Sequence, residues 1–265
     1  MSAALGRGWL LAPALFALFF LLPIAGLGLR ALTDGDVASE LRSGDTWRAL
    51  RLSLATATLA TALAVGLGTP LAYALARSGR RGARLAAGFI DLPIVLPPAA
   101  AGIALLTVFG RRGYLGEPLE ELGVSLSFTT AAVVLAQLFV AGPYFVRAAY
   151  AGFRAADPRF EGVAYTLGLS RWRTFRSVTL PLVWPALAAG AVLCWARALG
   201  ELGATLLFAG SLPGSTQTAP LAILGAFESS AGLAGAVSIS LLLVALALGV
   251  MLALHRVTAA PGPYR

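Results

Sequence analysis

Residues 157–185, DPRFEGVAYTLGLSRWRTFRSVTLPLVWP, decide how the chain is organised. This stretch is rich in arginine and separates two long apolar runs. Membrane proteins keep such basic connections on the cytoplasmic side, and this one is long enough to hold a short helix lying along the membrane surface. The pattern favours docking of a cytoplasmic partner over chemistry within the chain.

The composition is that of a membrane protein. Hydrophobic residues make up 58% of the 265 residues and charged residues only 12%, whereas a soluble domain has about 25% charged residues. Apolar runs of the length that crosses a bilayer predict one all-α, polytopic transmembrane domain over residues 1–265. Its six predicted spans lie near residues 9–29, 50–76, 85–109, 126–150, 180–208 and 232–255. The first run is too long for a cleaved signal peptide and is predicted to be a span.

The arginines predict the orientation in the membrane. The chain has a net charge of +8 and contains no lysine, and its arginines flank apolar runs, which favours a topological role over nucleic-acid binding. Arginine exceeds acid in the second and fourth connections and in the C-terminal tail. By the positive-inside rule, both termini and residues 153–176 are predicted to be cytoplasmic.

Several classes of site are disfavoured. A Walker A motif needs a lysine, which this chain lacks. Cys194 and His255 are the single cysteine and histidine, so neither a disulfide framework nor a Cys/His metal site is predicted. No Ser/His/Asp set stands out, so no catalytic residue, metal or cofactor is predicted in this chain. The competing classes are a transport subunit powered by another chain, a stand-alone transporter or channel, and a membrane-anchored enzyme, which would lack plausible catalytic groups.

Residues 161–181 resemble the cytoplasmic EAA loop of ABC importer permeases. That pattern is Glu-Ala-Ala, three residues, Gly, nine residues, an aliphatic residue, one residue and Leu-Pro. Gly168 is followed at the same spacing by Val178, Leu180 and Pro181. The Glu-Ala-Ala triplet differs from the family pattern, because Glu161 stands one position before the place of the family glutamate. On a helix, that shift rotates the side chain by about 100°. The sequence therefore leaves open whether Glu161 replaces the family glutamate.

Three further stretches are similar to molybdate permeases, which are related to sulfate permeases. They are DLPIVLPP at 91–98 with FGRRG at 109–113, RALGELGAT at 197–205, and PGSTQTAPLAI at 213–223. The resemblance implies a type I ABC importer permease fold in the inner membrane and a role in molybdate or tungstate import. The alternatives are a sulfate/thiosulfate permease and a stand-alone secondary anion transporter.

The resemblance also implies partners. A second copy of the chain would complete the pore, and two separate subunits would bind ATP and Mg. An extracytoplasmic protein would deliver the oxyanion. Alternating access would be driven by hydrolysis in the ATP-binding subunits.

A coupling helix is expected over residues 156–167, with Asp157 capping its start and Gly168 ending it in a left-handed conformation. Phe160, Val163 and Ala164 are expected to share the face that enters a groove of the ATPase. The alternative is an amphipathic helix resting on lipid headgroups. The full set assigned to this loop is Asp157, Phe160, Glu161, Val163, Ala164, Gly168, Phe175, Val178, Leu180 and Pro181. The nearby Arg171, Arg173 and Arg176 are expected to pair with ATPase acids or with anionic lipid.

Arg197 and Glu201 are spaced to share a helix face on the fifth span. Charged residues at such depth usually face a cavity or a partner, so either they line the path or gate, with Thr205 one turn further on, or they form a structural ion pair. Asp91 either caps a helix or meets the arginines at 77–84. The polar external loop, Gly214, Thr216, Gln217 and Thr218, is expected to touch the binding protein or to shape a gate.

Overall fold

The computed structural model describes residues 8–78, 81–229 and 232–258. These residues form helices joined by turns and short loops, with no strand among them, which confirms the all-α prediction. Five helices are long and apolar enough to cross a membrane. They are Leu11–Thr33, Gly44–Arg77, Thr130–Ala155, Arg171–Leu199 and Gly232–Val250.

The described helices are numbered in chain order. They are α1 Gly8–Thr33, α2 Gly35–Glu40, α3 Gly44–Arg77, α4 Arg81–Ile90, α5 Leu92–Val95, α6 Pro98–Phe109, α7 Gly116–Glu121, α8 Thr130–Ala155, α9 Arg159–Thr166, α10 Arg171–Thr174, α11 Leu180–Leu199, α12 Gly203–Ala209, α13 Ala219–Glu228 and α14 Gly232–Thr258. A π-helical segment, Phe175–Thr179, joins α10 to α11.

The third predicted span is not one straight helix. Leu85–Val95 and Pro98–Phe109 meet at an angle of 114°. Leu96 and Pro97 are extended at the break, and prolines there cannot donate the backbone bonds that would continue a helix. The chain therefore has six spans only if this bent pair is one of them.

The fifth predicted span, 180–208, also differs from the structure. Its helix begins earlier, at Arg171, passes through the π segment and ends at Leu199. The chain turns at Gly200, and the short α12 begins at Gly203. Arg197 therefore lies in the last helical turn, while Glu201 lies beyond it.

The main core forms where α3, α8 and α11 pack together around the buried rings of Phe145 and Phe153. Small residues allow this close approach: a Cβ on Gly68 would lie 3.0 Å from the Phe145 ring, and one on Gly190 would lie 2.7 Å from the Ala148 Cβ. A second cluster joins α6, α8 and α12 around Phe208. The two broken spans are thus anchored to the same central helix, α8.

Candidate functional site

A helix is present within the range predicted for the coupling helix: α9, Arg159–Thr166, is shorter than the expected 156–167. The Asp157 Oδ1 atom accepts a hydrogen bond from the Arg159 N–H at 2.9 Å, which satisfies one of the free donors at the helix start. Gly168 has φ +84°, and its N–H donates to the Tyr165 carbonyl at 3.0 Å. The Asp157 side chain therefore accepts a backbone N–H at the helix start, and Gly168 has the expected left-handed conformation just after the helix.

Glu161 is buried and ties α9 to two other elements. Its Oε1 atom accepts hydrogen bonds from Arg77 Nη2 at 2.6 Å and Arg77 Nε at 3.1 Å. The same atom accepts one from Thr179 Oγ1 at 3.0 Å, and Oε2 accepts one from the Tyr73 hydroxyl at 3.1 Å. We call Tyr73, Arg77, Glu161 and Thr179 the glutamate clamp.

Arg77 extends the clamp to α8. Its Nη1 atom donates to the carbonyls of Phe153 at 2.9 Å and Ala156 at 3.2 Å, which are among the acceptors left free at a helix end. The rings of Phe153 and Phe175 both pack edge-on against Tyr73, with centroids 5.3 and 5.1 Å away. These contacts connect α9 to α3, to the end of α8 and to the π segment that leads into α11.

The outer face of α9 is narrower than expected. Phe160 and Val163 are 55% and 58% exposed, but Ala164 is buried. Ala164 lies three residues after Glu161, so it shares the inner face that packs against this chain. A partner approaching α9 would meet Phe160 and Val163, and the Ala164 side chain would be out of its reach.

The rest of the loop leads into the π segment. The Leu180 N–H donates to the Phe175 carbonyl five residues earlier, which places Thr179 inside the wide turn and within reach of Glu161. Val178 and Leu180 are half-buried, and Pro181 is exposed. The three neighbouring arginines are exposed, and none makes a salt bridge within the described part of the chain: Arg171, Arg173 and Arg176.

Arg197 and Glu201 form an ion pair, with 2.7 Å between Arg197 Nη1 and Glu201 Oε2. Glu201 is 1% exposed and its Oε1 atom also accepts the Ala204 N–H at 2.8 Å. The carboxylate therefore both neutralises Arg197 and caps the start of α12. Thr205 is fully buried, and its hydroxyl has no hydrogen-bond partner among the described residues.

Gln137 is a buried polar residue that the sequence reasoning missed. It lies on α8 with no exposed surface, and neither atom of its amide group finds a partner among the described residues. Gly152 opposite Ala186, and Ala148 opposite Gly190, set an antiparallel register between α8 and α11. Continued along α8, that register places Gln137 two residues beyond the level of Leu199, where α11 ends. A lone amide inside an apolar run was the pattern that would have revealed it.

The loop that contains Gly214, Thr216, Gln217 and Thr218 is held by hydrogen bonds within itself and to α8. The Leu212 N–H donates to the Thr216 hydroxyl at 2.9 Å, and the Thr130 hydroxyl donates to the Ser215 carbonyl at 2.8 Å. Gly214 has φ +82°, a conformation that favours glycine. Gln217 is half-buried and Thr218 is buried.

Ser53, another residue missed from the sequence, caps the helix that follows this loop. The α13 helix begins after Thr218, whose side chain makes no capping hydrogen bond. Instead, the buried Ser53 hydroxyl of α3 accepts the Ala219 N–H at 2.6 Å.

The family profile described as "Binding-protein-dependent transport system inner membrane component" matches residues 64–258. The chain belongs to this family. It is 44% identical over 245 residues to the "Molybdenum transport system permease protein ModB" of Mycobacterium tuberculosis, covering 92% of each chain. It is 36% identical to the "Molybdate/tungstate transport system permease protein WtpB" of Thermococcus kodakarensis, covering 89% of each.

Solved structures show the same fold at low sequence identity. A bacterial alginate ABC transporter in complex with an alginate-bound periplasmic protein matches with a TM-score of 0.74 and 16% identity, covering 97% of each chain. The MetNI methionine ABC transporter in inward-facing conformations matches with a TM-score of 0.61 and 16% identity, covering 80% of this chain and 94% of that one. The predicted importer permease fold is confirmed, and this family member is a transport subunit rather than an enzyme.

Proposed function

We propose that this chain is the membrane-spanning permease subunit of an ATP-driven importer for molybdate or tungstate. The observation that carries the proposal is the 44% identity to a molybdenum transport permease over 92% of both chains. The likeness to a permease named for both molybdate and tungstate supports the same pair of substrates. ATP and Mg bind to a separate subunit, where hydrolysis takes place.

The proposed complex contains a second copy of this chain, two ATP-binding subunits and an extracytoplasmic oxyanion-binding protein. The family description supports the binding protein. The exposed Phe160 and Val163 side chains support docking of the ATP-binding subunit on α9, because an apolar helix face suits a groove. The glutamate clamp then passes the movement of that subunit into the bundle. Arg171, Arg173 and Arg176 lie beside this surface and pair with acids of the same subunit.

Both termini and α9 face the cytoplasm in this proposal. The arginine excess of the even connections supports that orientation. The external loop, Gly214, Thr216, Gln217 and Thr218, then lies on the side from which the binding protein approaches.

Arg197, Glu201 and Thr205 line the translocation path in this proposal. The Arg197 side chain is 28% exposed, whereas that of Glu201 is buried. The Glu201 carboxylate therefore reaches the translocation path only when α12 moves. Arg197 offsets the charge of the dianion, and Glu201 keeps it from binding too tightly. Arg197→Ala and Glu201→Gln are both expected to lower uptake, and normal uptake with normal ATP coupling in both variants would contradict this role.

The test is uptake of radiolabelled molybdate into vesicles that hold this chain, its ATP-binding subunit and its binding protein. ATP-dependent uptake that tungstate blocks and sulfate does not is the expected result. Inhibition by sulfate would indicate that the chain transports sulfate instead, and uptake without ATP would indicate a stand-alone transporter. Vesicles without the ATP-binding subunit are the control.

A further inference from the structure

A cleft of about 360 Å³ opens between α3, α4 and α8. Most of its wall is apolar, but three polar side chains line it: Asp91, Arg147 and Tyr150. The volume has room for a small anion together with several waters. None of these side chains belongs to the glutamate clamp or to the Arg197–Glu201 pair.

Neither charged group of this cleft forms a salt bridge within the described part of the chain. Arg147 is exposed and makes no salt bridge with any described residue. Asp91 makes no salt bridge within the same ranges, and its side chain does not form the expected cap on α5. The Arg77 guanidinium is engaged by Glu161; Arg80 and the side chains of Arg81 and Arg84 lie outside the described residues.

Arg147 lies inside a spanning helix. It precedes the end of α8 at Ala155 by eight residues, which corresponds to about 12 Å along the helix axis. A guanidinium at that depth is costly in lipid and normally faces a water-filled cavity or a counter-charge. The cleft supplies the cavity, and the end of α8 that carries Arg147 is the end attached to α9.

We infer that this cleft is a transient binding site for a tetrahedral oxyanion on the α9 side of the membrane. Arg147 supplies the positive charge and Tyr150 a hydroxyl donor, while Asp91 opposes tight binding so that the anion leaves again. The inference rests on the proposed function, because it makes the cleft the last contact of the transported ion before release.

Tetrahedral oxyanions reach such a cleft from two sources, the transported ion and the phosphate of a lipid headgroup. Headgroup sites are built from clusters of basic residues. The described side chains that line this cleft include one guanidinium and one carboxylate, so the charges of these two groups balance. That balance favours passage of a mobile ion over retention of a lipid.

The test compares Arg147→Gln, Arg147→Lys and the control Arg154→Gln in the complete transporter. Arg154 is also exposed on α8 but lies outside the cleft. One readout is tungstate uptake by the complete transporter, and the other is equilibrium binding of tungstate, without nucleotide, to the transporter without its binding protein. Each is measured in phosphatidylcholine membranes and in membranes with added anionic lipid. A monodisperse complex shows that each variant is folded.

The expected result is that Arg147→Gln lowers uptake and weakens tungstate binding by about tenfold or more in both membranes, as for loss of a hydrogen bond to a charged group. Arg147→Lys should keep most of the uptake and most of the tungstate binding, and Arg154→Gln should match the unmodified transporter in both. A further variant, Asp91→Asn, should bind tungstate more tightly. Equal behaviour of the Arg147 and Arg154 variants would overturn the inference. A defect seen only with anionic lipid would assign the cleft to a headgroup and also overturn it.

Failure of the proposed function gives a different pattern. An unmodified transporter that moves neither molybdate nor tungstate refutes the substrate. The binding measurement then tests the inference on its own. Weaker tungstate binding in Arg147→Gln supports the inference, and unchanged binding in that variant refutes it.

Discussion

Glu161 accepts more hydrogen bonds than any other carboxylate in the described part of the chain. The sequence placed it in the loop but did not indicate these partners. Its displacement by one residue from the family triplet left its role open. The structure shows Glu161 buried and Ala164 buried beside it, three residues on. The inner face of α9 is therefore set by contacts with Tyr73 and Arg77, which are far away in sequence. A pattern confined to residues 161–181 cannot reveal partners on α3.

Replacing Glu161 by Gln is predicted to destabilise the transporter. The substitution keeps the shape but leaves the mostly buried Arg77 guanidinium without its counter-charge, a loss of about 3 kcal/mol. Arg77 keeps its two carbonyl partners at the end of α8, so the C-terminal ends of α3 and α8 stay joined. The apparent melting temperature in detergent should fall by about 6–12 °C, and ATP hydrolysis should become less dependent on transport.

Glu117→Gln is the matched control, because Glu117 is exposed on α7 and makes no salt bridge with any described residue. Its melting temperature should stay unchanged. Equal melting temperatures for the two variants would show that the glutamate clamp contributes nothing to stability.

Ser53→Ala is predicted to loosen the junction between α3 and the start of α13. The alanine leaves the buried Ala219 N–H without an acceptor, at a cost of about 1–3 kcal/mol. Thermal unfolding should therefore begin at a lower temperature than in the control Ser39→Ala, where the lost hydroxyl is exposed and bonds within its own helix. Identical curves would refute the capping role of Ser53.

At the scale of elements, the apolar runs predicted the number of spans within one but missed both breaks. Length and hydropathy treat 85–109 and 180–208 as continuous, because a window of about 20 residues averages over the few residues at each break, including the charged Glu201 at the second. Prolines marked the first break, yet a proline inside a span often only bends it. The second break depends on Glu201 accepting the Ala204 N–H, a contact that hydropathy does not record.

The two half-helices that follow the breaks, α6 and α12, pack through Gly102. A Cβ at this position would lie 2.9 Å from the Leu207 Cβ and 3.1 Å from the Ala204 backbone. Gly102→Ala is therefore predicted to push α6 away from α12 and to lower the stability of the bundle by about 1–3 kcal/mol. Thermal unfolding of the purified chain measures this effect.

Gly66→Ala provides the control for that substitution. Gly66 lies in the middle of α3, and a Cβ there would meet nothing within 4 Å. Alanine is preferred over glycine in a helix by about 1 kcal/mol, so this variant should be as stable as the original or more stable. A Gly102→Ala variant that gains stability like Gly66→Ala would contradict the close contact between α6 and α12.

At the scale of the whole molecule, the orientation in the membrane follows from the charge pattern and is open to a direct test. The native Cys194 is fully buried, so it should react slowly with a maleimide and leave a low background. Glu117 on α7 and Gly162 on α9 are both exposed, and a Cβ at Gly162 meets nothing within 4 Å. Cysteines at these two positions therefore report on opposite sides of the bundle without disturbing its packing.

A membrane-impermeant maleimide applied to intact spheroplasts is predicted to label Glu117→Cys and to spare Gly162→Cys until the membrane is permeabilised. The physical reason is that arginine-rich connections stay in the cytoplasm, and α9 belongs to the connection with Arg154, Arg159, Arg171, Arg173 and Arg176. Labelling of Gly162→Cys in intact spheroplasts would invert the topology. It would also place Phe160 and Val163 on the wrong side for an ATP-binding subunit, so the coupling role of α9 would fail together with the orientation.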